Sequence, residues 1–221
     1  MLPVINKITS FIEKHGTYIS IHAPDEVTSL FQHSQYLLQG VQDYFGAFFD
    51  FAAQVKTRII TIHLGAMISY KTDSTPVINV PEEDLPVYKN VVTRNLDTLL
   101  EMANNRFVIC VENEGLDNFN LSVLQPYLDK NKLALCWDLA KSWSNPITEE
   151  FFLKNLPHIK QVHLSDTRQD EKDTRRRHLV IGTGELDFIE YLNKLSEVDV
   201  QDYCIEVRPR EKAKDSLEAL K

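Results

Sequence analysis

Six short apolar runs in this sequence each end on a side chain that can bind a metal or move a proton: His22, His63, Glu112, Asp138, His163 and Glu206. Four of these, Glu112, Asp138, His163 and Glu206, supply three carboxylates and one imidazole. That is a hard, mainly oxygen donor set suited to one divalent ion, with Mn²⁺ favoured and Mg²⁺, Co²⁺ or Zn²⁺ also compatible. Without an ion, three carboxylates held close together would repel, and one would take up a proton. A single acid at an exposed strand end is ordinary; three acids and a histidine at matching positions are not.

The runs read as strands: Tyr18 to His22, Arg58 to His63, Phe107 to Glu112, Leu133 to Asp138, Ile159 to His163 and Tyr203 to Glu206. They are rich in Ile, Val, Tyr and Cys and bounded by polar residues or Gly. Side chains alternate faces along a strand, so residue i−2 shares the face of residue i. The i−2 positions are Ser20, Thr61, Cys110, Cys136, Gln161 and Cys204, all small or polar. The positions between them, Ile21, Ile62, Val111, Trp137, Val162 and Ile205, are large and apolar. A barrel fits this pattern: bulky groups face outward onto helices, while the inward face carries the site and the layer beneath it. Each cysteine then lies one layer below a candidate acid and reads as a small buried core residue.

The stretches between strands read as helices: Pro3 to Lys14, Leu30 to Val55, Glu82 to Ala103, Leu121 to Leu128, Glu149 to Leu156 and Phe188 to Leu195. Asp187 before FIE gives a capping-box spacing, and Pro81 followed by two Glu and an Asp makes a favourable first turn. Strands alternating with helices argue for an α/β fold with a parallel sheet, either doubly wound or closed into a barrel. Glu112, Asp138 and His163 are spaced by about 25 residues, one βα unit of a barrel. A complete eight-unit barrel takes about 250 residues. With six strands and an opening helix, this chain is expected to lack one or two N-terminal strands, and the open sheet edge argues for a homodimer. Two segments read as loops: Gly65 to Val80, long enough to act as a lid, and the charged run from Asp166 to His178, expected to be solvated. Gly182 and Gly184 read as shaping a turn rather than cradling a phosphate.

The chain has 221 residues, expected to form a single domain, and a formal net charge of −8. The acidic balance opposes a nucleic-acid partner. Three widely spaced cysteines do not make a disulfide framework, and there is no signal-peptide pattern and no apolar run of membrane-spanning length. The expected location is therefore cytoplasmic, with no membrane partner.

The segments YISIHAP at 18, IITIHLG at 59, VICVENEG at 108, LALCWDLAK at 133, QVHLSDTR at 161, RHLVIGTGELDF at 177 and YCIEVRP at 203 together resemble the xylose-isomerase-like TIM barrels. That family includes sugar and sugar-phosphate isomerases and epimerases, inosose dehydratases and the endonuclease IV type of AP endonuclease. The resemblance implies a TIM-barrel-like fold. In the epimerase branch it implies one divalent metal held by Glu112, Asp138, His163 and Glu206, with Glu112 and Glu206 as the acid/base pair. A bound metal would polarise the substrate's carbonyl and stabilise an enediolate, while one glutamate removes the proton α to the carbonyl and the other returns one. Return to the same carbon gives epimerisation, return to the neighbouring carbon gives isomerisation, and loss of a β-hydroxyl gives dehydration. The expected partner is a small sugar, sugar phosphate or related polyol.

The endonuclease branch holds three zinc ions, and His22, His63, Glu112, Asp138, His163, His178 and Glu206 fall at matching positions. Two positions depart: Lys141 stands where that branch has a histidine, and Arg176 where it has an aspartate. A cation at each should abolish the third zinc site, which makes the phosphodiesterase the alternative rather than the leading reading; a barrel that binds sugar or metal without turnover is another. Lys141 should point into the site, to bind a substrate phosphate or carboxylate or to form a salt bridge. Arg177 and His178 are the members of the charged run expected to face substrate, and His22 and His63 are substrate hydrogen-bonders or ligands of a second ion. His15, His33 and His158 fit no pattern.

Overall fold

The computed structural model describes the chain apart from residues 1, 25–27, 66–69, 73–74, 79–80, 144 and 170–174, and apart from the side chains of 2, 70–72, 75–78, 175 and 176. It divides into two compact units, residues 1–109 and 110–221.

The first unit opens with helix α1 (Leu2–His15). Ile5 and Ile12, two turns apart, are its buried stripe, and Lys14 and His15 in the last turn face the negative end of the dipole. Strands β1 (Ser20–His22) and β2 (Ile59–Ile62) pair in parallel with Ser20 beside Ile59 and His22 beside Thr61. Between them, helix α2 (Gln35–Gln54) buries Phe45, Phe49 and Ala52. It starts five residues later than the apolar periodicity suggested. Leu30 and Phe31 are buried without being helical, because Asn95 donates to the carbonyls of Leu30 (2.8 Å) and Gln32 (2.9 Å). Asn95 itself lies on the buried face of helix α3 (Leu85–Ala103), which follows a 3-10 turn at Glu82–Asp84. The helix ends at Asn104 in the left-handed region (φ 48).

The segment from Gly65 to Val80 is not simply a loop. It contains two short antiparallel strands, β3 (Tyr70–Thr72) and β4 (Thr75–Ile78); the rest of the expected lid, residues 66–69, 73–74 and 79–80, lies outside the described residues.

Strand β5 (Val108–Glu112) begins in the first unit, where the Val108 amide donates to the Arg58 carbonyl (2.9 Å). In the second unit it is followed in the sheet by β6 (Ala134–Asp138), β7 (Ile159–Leu164) and β10 (Asp202–Ile205), all parallel and in chain order. The six expected strands are thus all present as parallel strands, each flanked by helix, as in a TIM barrel. Several helices of this unit start where a side chain caps them. Asp117 accepts from the Asn120 amide and starts α4 (Asn118–Leu128), three residues before the expected boundary. Asn145 accepts from the Thr148 amide ahead of α6 (Pro146–Lys154), which has Pro in its first turn. Asp187 accepts from the Glu190 amide at α7 (Phe188–Leu195), as the capping-box spacing predicted. Helices α5 (Leu139–Ser142) and α8 (Arg210–Ala219) were not expected.

The run from Asp166 to His178 also departs from expectation. It forms strands β8 (Asp166–Gln169) and β9 (Arg175–Leu179), paired antiparallel with Asp166 opposite Leu179. Asp166 and Thr167 are buried rather than solvated. The tip of this hairpin and the Arg176 side chain lie outside the described residues.

Candidate metal centre

Strand register sets the relative heights of the four candidate ligands. Asp138 on β6 is level with His163 on β7, and His163 is level with Cys204 on β10. Glu112 on β5 is level with Cys136, one same-face step below Asp138. Glu206 follows β10, its amide held by the Leu164 carbonyl at 2.9 Å. The stagger leaves Glu112, Asp138, His163 and Glu206 each offering a ligand atom within 4.8 Å of the others. Glu112 and Asp138 are fully buried, and His163 is nearly so.

The strand ends are held by groups that sequence reasoning did not single out. Asn113, buried and directly after Glu112, accepts from the Asp138 amide (2.8 Å) and donates to the Asp138 carbonyl (2.9 Å). One side-chain amide thereby locks the ends of β5 and β6 together. Asn113 also donates to Ser142 Oγ (3.1 Å), which accepts from Trp137 Nε1 (2.7 Å). Asp138 caps α5 by accepting from the Lys141 amide (3.0 Å), so one carboxylate oxygen is committed to the backbone and the other faces the cluster.

His163 Nδ1 lies 2.9 Å from Glu112 Oε1 and 3.2 Å from Glu206 Oε2. Burial works to lower the His163 pKa, but its neighbours Cys136, Glu112 and Glu206 outweigh it and the pKa is raised. Burial pushes the Cys136 thiol up to about 12. It is therefore a thiol at neutral pH, and Glu112 and Glu206 are the carboxylates beside the His163 ring. Burial works against ionising Glu206 as well, yet its close contact and charge interaction with His163 keep its pKa lowered. Asp138 is raised, by burial first and by Glu112 in addition, against the pull of Lys141.

Lys141 does point into the cluster, and carboxylates of this chain surround it. Its ammonium is 2.8 Å from Glu112 Oε1, 3.1 Å from Glu114 Oε2 and 3.5 Å from Asp138 Oδ2. Burial would lower its pKa, but these acids outweigh that and raise it. Arg177 is exposed and pairs with the same Glu114 (3.3 Å). His178 has a positive φ of 56 and hydrogen-bonds through Nδ1 to the main-chain carbonyl of Glu206 (3.0 Å), so its ring supports the segment that carries this candidate ligand. In the first unit His22 and His63 pack edge to face, ring centroids 4.8 Å apart, with His22 Nδ1 held by the Ala23 carbonyl at 2.7 Å.

The turn after β9 is not a phosphate cradle. The amides of Gly182 (2.9 Å) and Gly184 (2.8 Å) both donate to Asp166 Oδ2, and those of Thr167 (2.8 Å) and Leu186 (3.2 Å) donate to Asp166 Oδ1.

Whether a divalent ion fits can be judged from the donors. Asp138 Oδ2 and Glu206 Oε2 are buried without a hydrogen bond, although each has a cation at ion-pair distance. Two such oxygens in a cluster of four donors are what an oxygen-preferring ion would satisfy. Cys136 lies within the same reach of Glu112 and His163 but is held as a thiol. Cys110 and Cys136 are fully buried, while Cys204 is half-buried. Iodoacetamide at neutral pH should therefore label Cys204 first in the native protein and reach the other two only after unfolding; peptide mass spectrometry of briefly labelled protein will show the order. Early labelling of Cys136 would refute the buried-thiol assignment.

Among solved structures, a D-tagatose 3-epimerase-like protein superposes with a TM-score of 0.74 at 20% identity, covering 98% of this chain and 80% of that one. The 3-keto-D-glucoside 4-epimerase of E. coli superposes with a TM-score of 0.69 at 15% identity, covering 98% of this chain and 84% of that one. A curated relative, "Probable endonuclease 4" of Malacoplasma penetrans (strain HF-2), is 25% identical over 158 residues, 64% of this chain. The chain spans about half (50%) of that relative's length. The family described as xylose isomerase-like TIM barrel matches residues 3–221, and the chain belongs to that family.

Proposed function

We propose that this protein is a divalent-metal-dependent isomerase or epimerase of a sugar, sugar phosphate or related polyol, with Glu112 and Glu206 as its proton-transfer groups. The observation that carries this reading is the convergence of Glu112, Asp138, His163 and Glu206 within 4.8 Å, at the strand ends where barrel enzymes place their chemistry. The fold neighbours, a D-tagatose 3-epimerase-like protein and a 3-keto-D-glucoside 4-epimerase, agree with it.

The four residues would hold one ion, Mn²⁺ by preference, which when bound supplies charge stabilisation to a substrate oxygen. The remaining work falls to the chain. Glu206, ionised through its contact with His163 and one-third exposed, is the base that can reach a substrate proton from the open side. Glu112, buried and charge-balanced by Lys141 and His163, holds the second position for proton return. His163 keeps both carboxylates oriented. Arg177, exposed and paired with Glu114, would meet a substrate's hydroxyls or phosphate. Dehydration of a similar substrate would begin with the same proton removal.

The endonuclease relative favours a second reading, a zinc phosphodiesterase. Lys141 weighs against it, because its ammonium sits among the carboxylates where that branch has a zinc-binding histidine.

Two measurements test the proposal. Elemental analysis of protein dialysed against mixed Mn²⁺, Mg²⁺, Co²⁺ and Zn²⁺ should find about one ion per chain, lost in Glu206→Ala. Ketoses and their phosphates incubated with that protein in D₂O should gain deuterium at the carbon beside the carbonyl. Two or three zinc ions, with cleavage of an abasic oligonucleotide, would replace this reading with the phosphodiesterase; no bound metal and no exchange would end it.

A further inference from the structure

We propose that Lys141 is a tethered cation that competes with the metal for Glu112 and Asp138, and that Glu114 holds it when the metal is bound. The inference rests on the metal site proposed above and concerns what that site does when no metal is bound.

The ammonium contacts both kinds of acid at once. Glu112 Oε1 (2.8 Å) and Asp138 Oδ2 (3.5 Å) belong to the candidate ligand set, and the Asp138 oxygen is one that makes no hydrogen bond. Glu114 Oε2 (3.1 Å) lies outside that set on a side chain 40% exposed. A divalent ion on Glu112 and Asp138 needs the lone pairs toward which the ammonium now points, and two cations cannot share them at these distances. The Lys141 main chain cannot retreat, because its amide is bonded to Asp138 Oδ1. The four-carbon stem can, and Glu114 is already within its reach.

Charge balance favours the same exchange. Glu112, Asp138 and Glu206 carry three negative charges, and packed together without counter-charge they would destabilise the fold or take up protons. The Lys141 ammonium, in contact with Glu112 and Asp138, provides counter-charge when no metal is present. The chain thus keeps a folded site without metal, and metal affinity is lower than the same four ligands would give alone.

The two consequences have opposite signs, which separates competition from a merely structural ion pair. Lys141→Met should lower the melting temperature of metal-free protein and tighten Mn²⁺ binding by about tenfold or more, read by titration calorimetry at fixed pH on the full chain. Arg177→Met is the control. It removes a cation that also pairs with Glu114 (3.3 Å) but is not seen on Glu112 or Asp138, and should change Mn²⁺ affinity by less than about threefold. Equal or weaker Mn²⁺ binding by Lys141→Met, or equal tightening by both variants, would overturn the proposal.

If Lys141→Met does not fold alone, the wild-type protein decides. An amine-reactive label should modify Lys141 faster with Mn²⁺ present than without it, and an unchanged or slower rate would overturn the exchange. Failure of Mn²⁺ and Zn²⁺ to bind either the wild type or the variant would instead remove the metal site, and the functional reading with it.

Discussion

Glu206→Gln will fold like the wild type and lose turnover by about three orders of magnitude or more. Glutamine matches glutamate in size, and the Glu206 side chain is one-third exposed, so little packing is at stake. General acid–base catalysis alone is worth about 10²- to 10⁴-fold, and the same substitution removes an anionic donor from the proposed metal cluster. The amide cannot accept a proton from carbon, and it no longer balances His163. Glu112→Gln is the poorer test. Glu112 Oε1 takes both the Lys141 ammonium and His163 Nδ1 in a fully buried place, so that variant strands two cations and loses stability as well. The measurement is deuterium exchange into a substrate identified by the D₂O screen, with circular dichroism to confirm folding. A fall in kcat at saturating metal is the expected signature. Turnover within about tenfold of wild type would remove Glu206 from proton transfer.

How far the sequence could be read is clearest at the strands. Each candidate ligand ends a run whose alternation shows which residues share its face, and Glu112, Asp138, His163 and Glu206 do converge. The contacts of Lys141 were not legible. Its spacing after Asp138 placed it toward the site, but that Glu114 would share it depends on the turn after β5, which no periodicity describes. Asn113 and Asn95 lie in polar runs that read as turn or helix surface, yet each closes hydrogen bonds across more than 20 residues; one asparagine carries no sign of which distant carbonyl it will meet. Helix α5 is only four residues long, too short for a repeat. Helix α8 is polar on nearly all sides, with Ser216 its only buried residue, so it lacks the apolar stripe that marks a helix. The β8–β9 hairpin was hidden by charge, because Asp166 reads as a solvated acid until the amides it binds are known.

Asp166 is also where the largest loss of stability is expected. Its carboxylate is 1% exposed and accepts four backbone amides, two on each oxygen: Gly182 and Gly184 on Oδ2, Thr167 and Leu186 on Oδ1. Asp166→Ala leaves these donors without the acceptor that gathers them. At about 1–3 kcal/mol for each amide that finds no replacement, the total should reach about 3 kcal/mol or more, a fall in melting temperature on the order of 10 °C for a chain of this size. Asp166→Asn should be nearly as damaging. An amide side chain has one acceptor oxygen and one donor nitrogen, so whichever way it turns, its NH₂ faces two backbone N–H groups. Gly184→Ala attacks the same turn from the other side, since a Cβ there would lie 2.3 Å from Asp166 Oδ1 and 2.4 Å from the Thr167 carbonyl oxygen. Because both substitutions break one turn, their combined cost should fall well short of the sum. The turn also supports the proposed metal site: His178, on the paired strand β9, holds the Glu206 carbonyl at 3.0 Å, so Asp166→Ala should weaken divalent-metal binding there along with the fold. Thermal unfolding of the three single variants and the double variant checks this. A melting temperature for Asp166→Ala within about 2 °C of wild type would mean that backbone bonds such as Glu185 to Thr167 and Thr183 to Val180 hold the turn without the carboxylate.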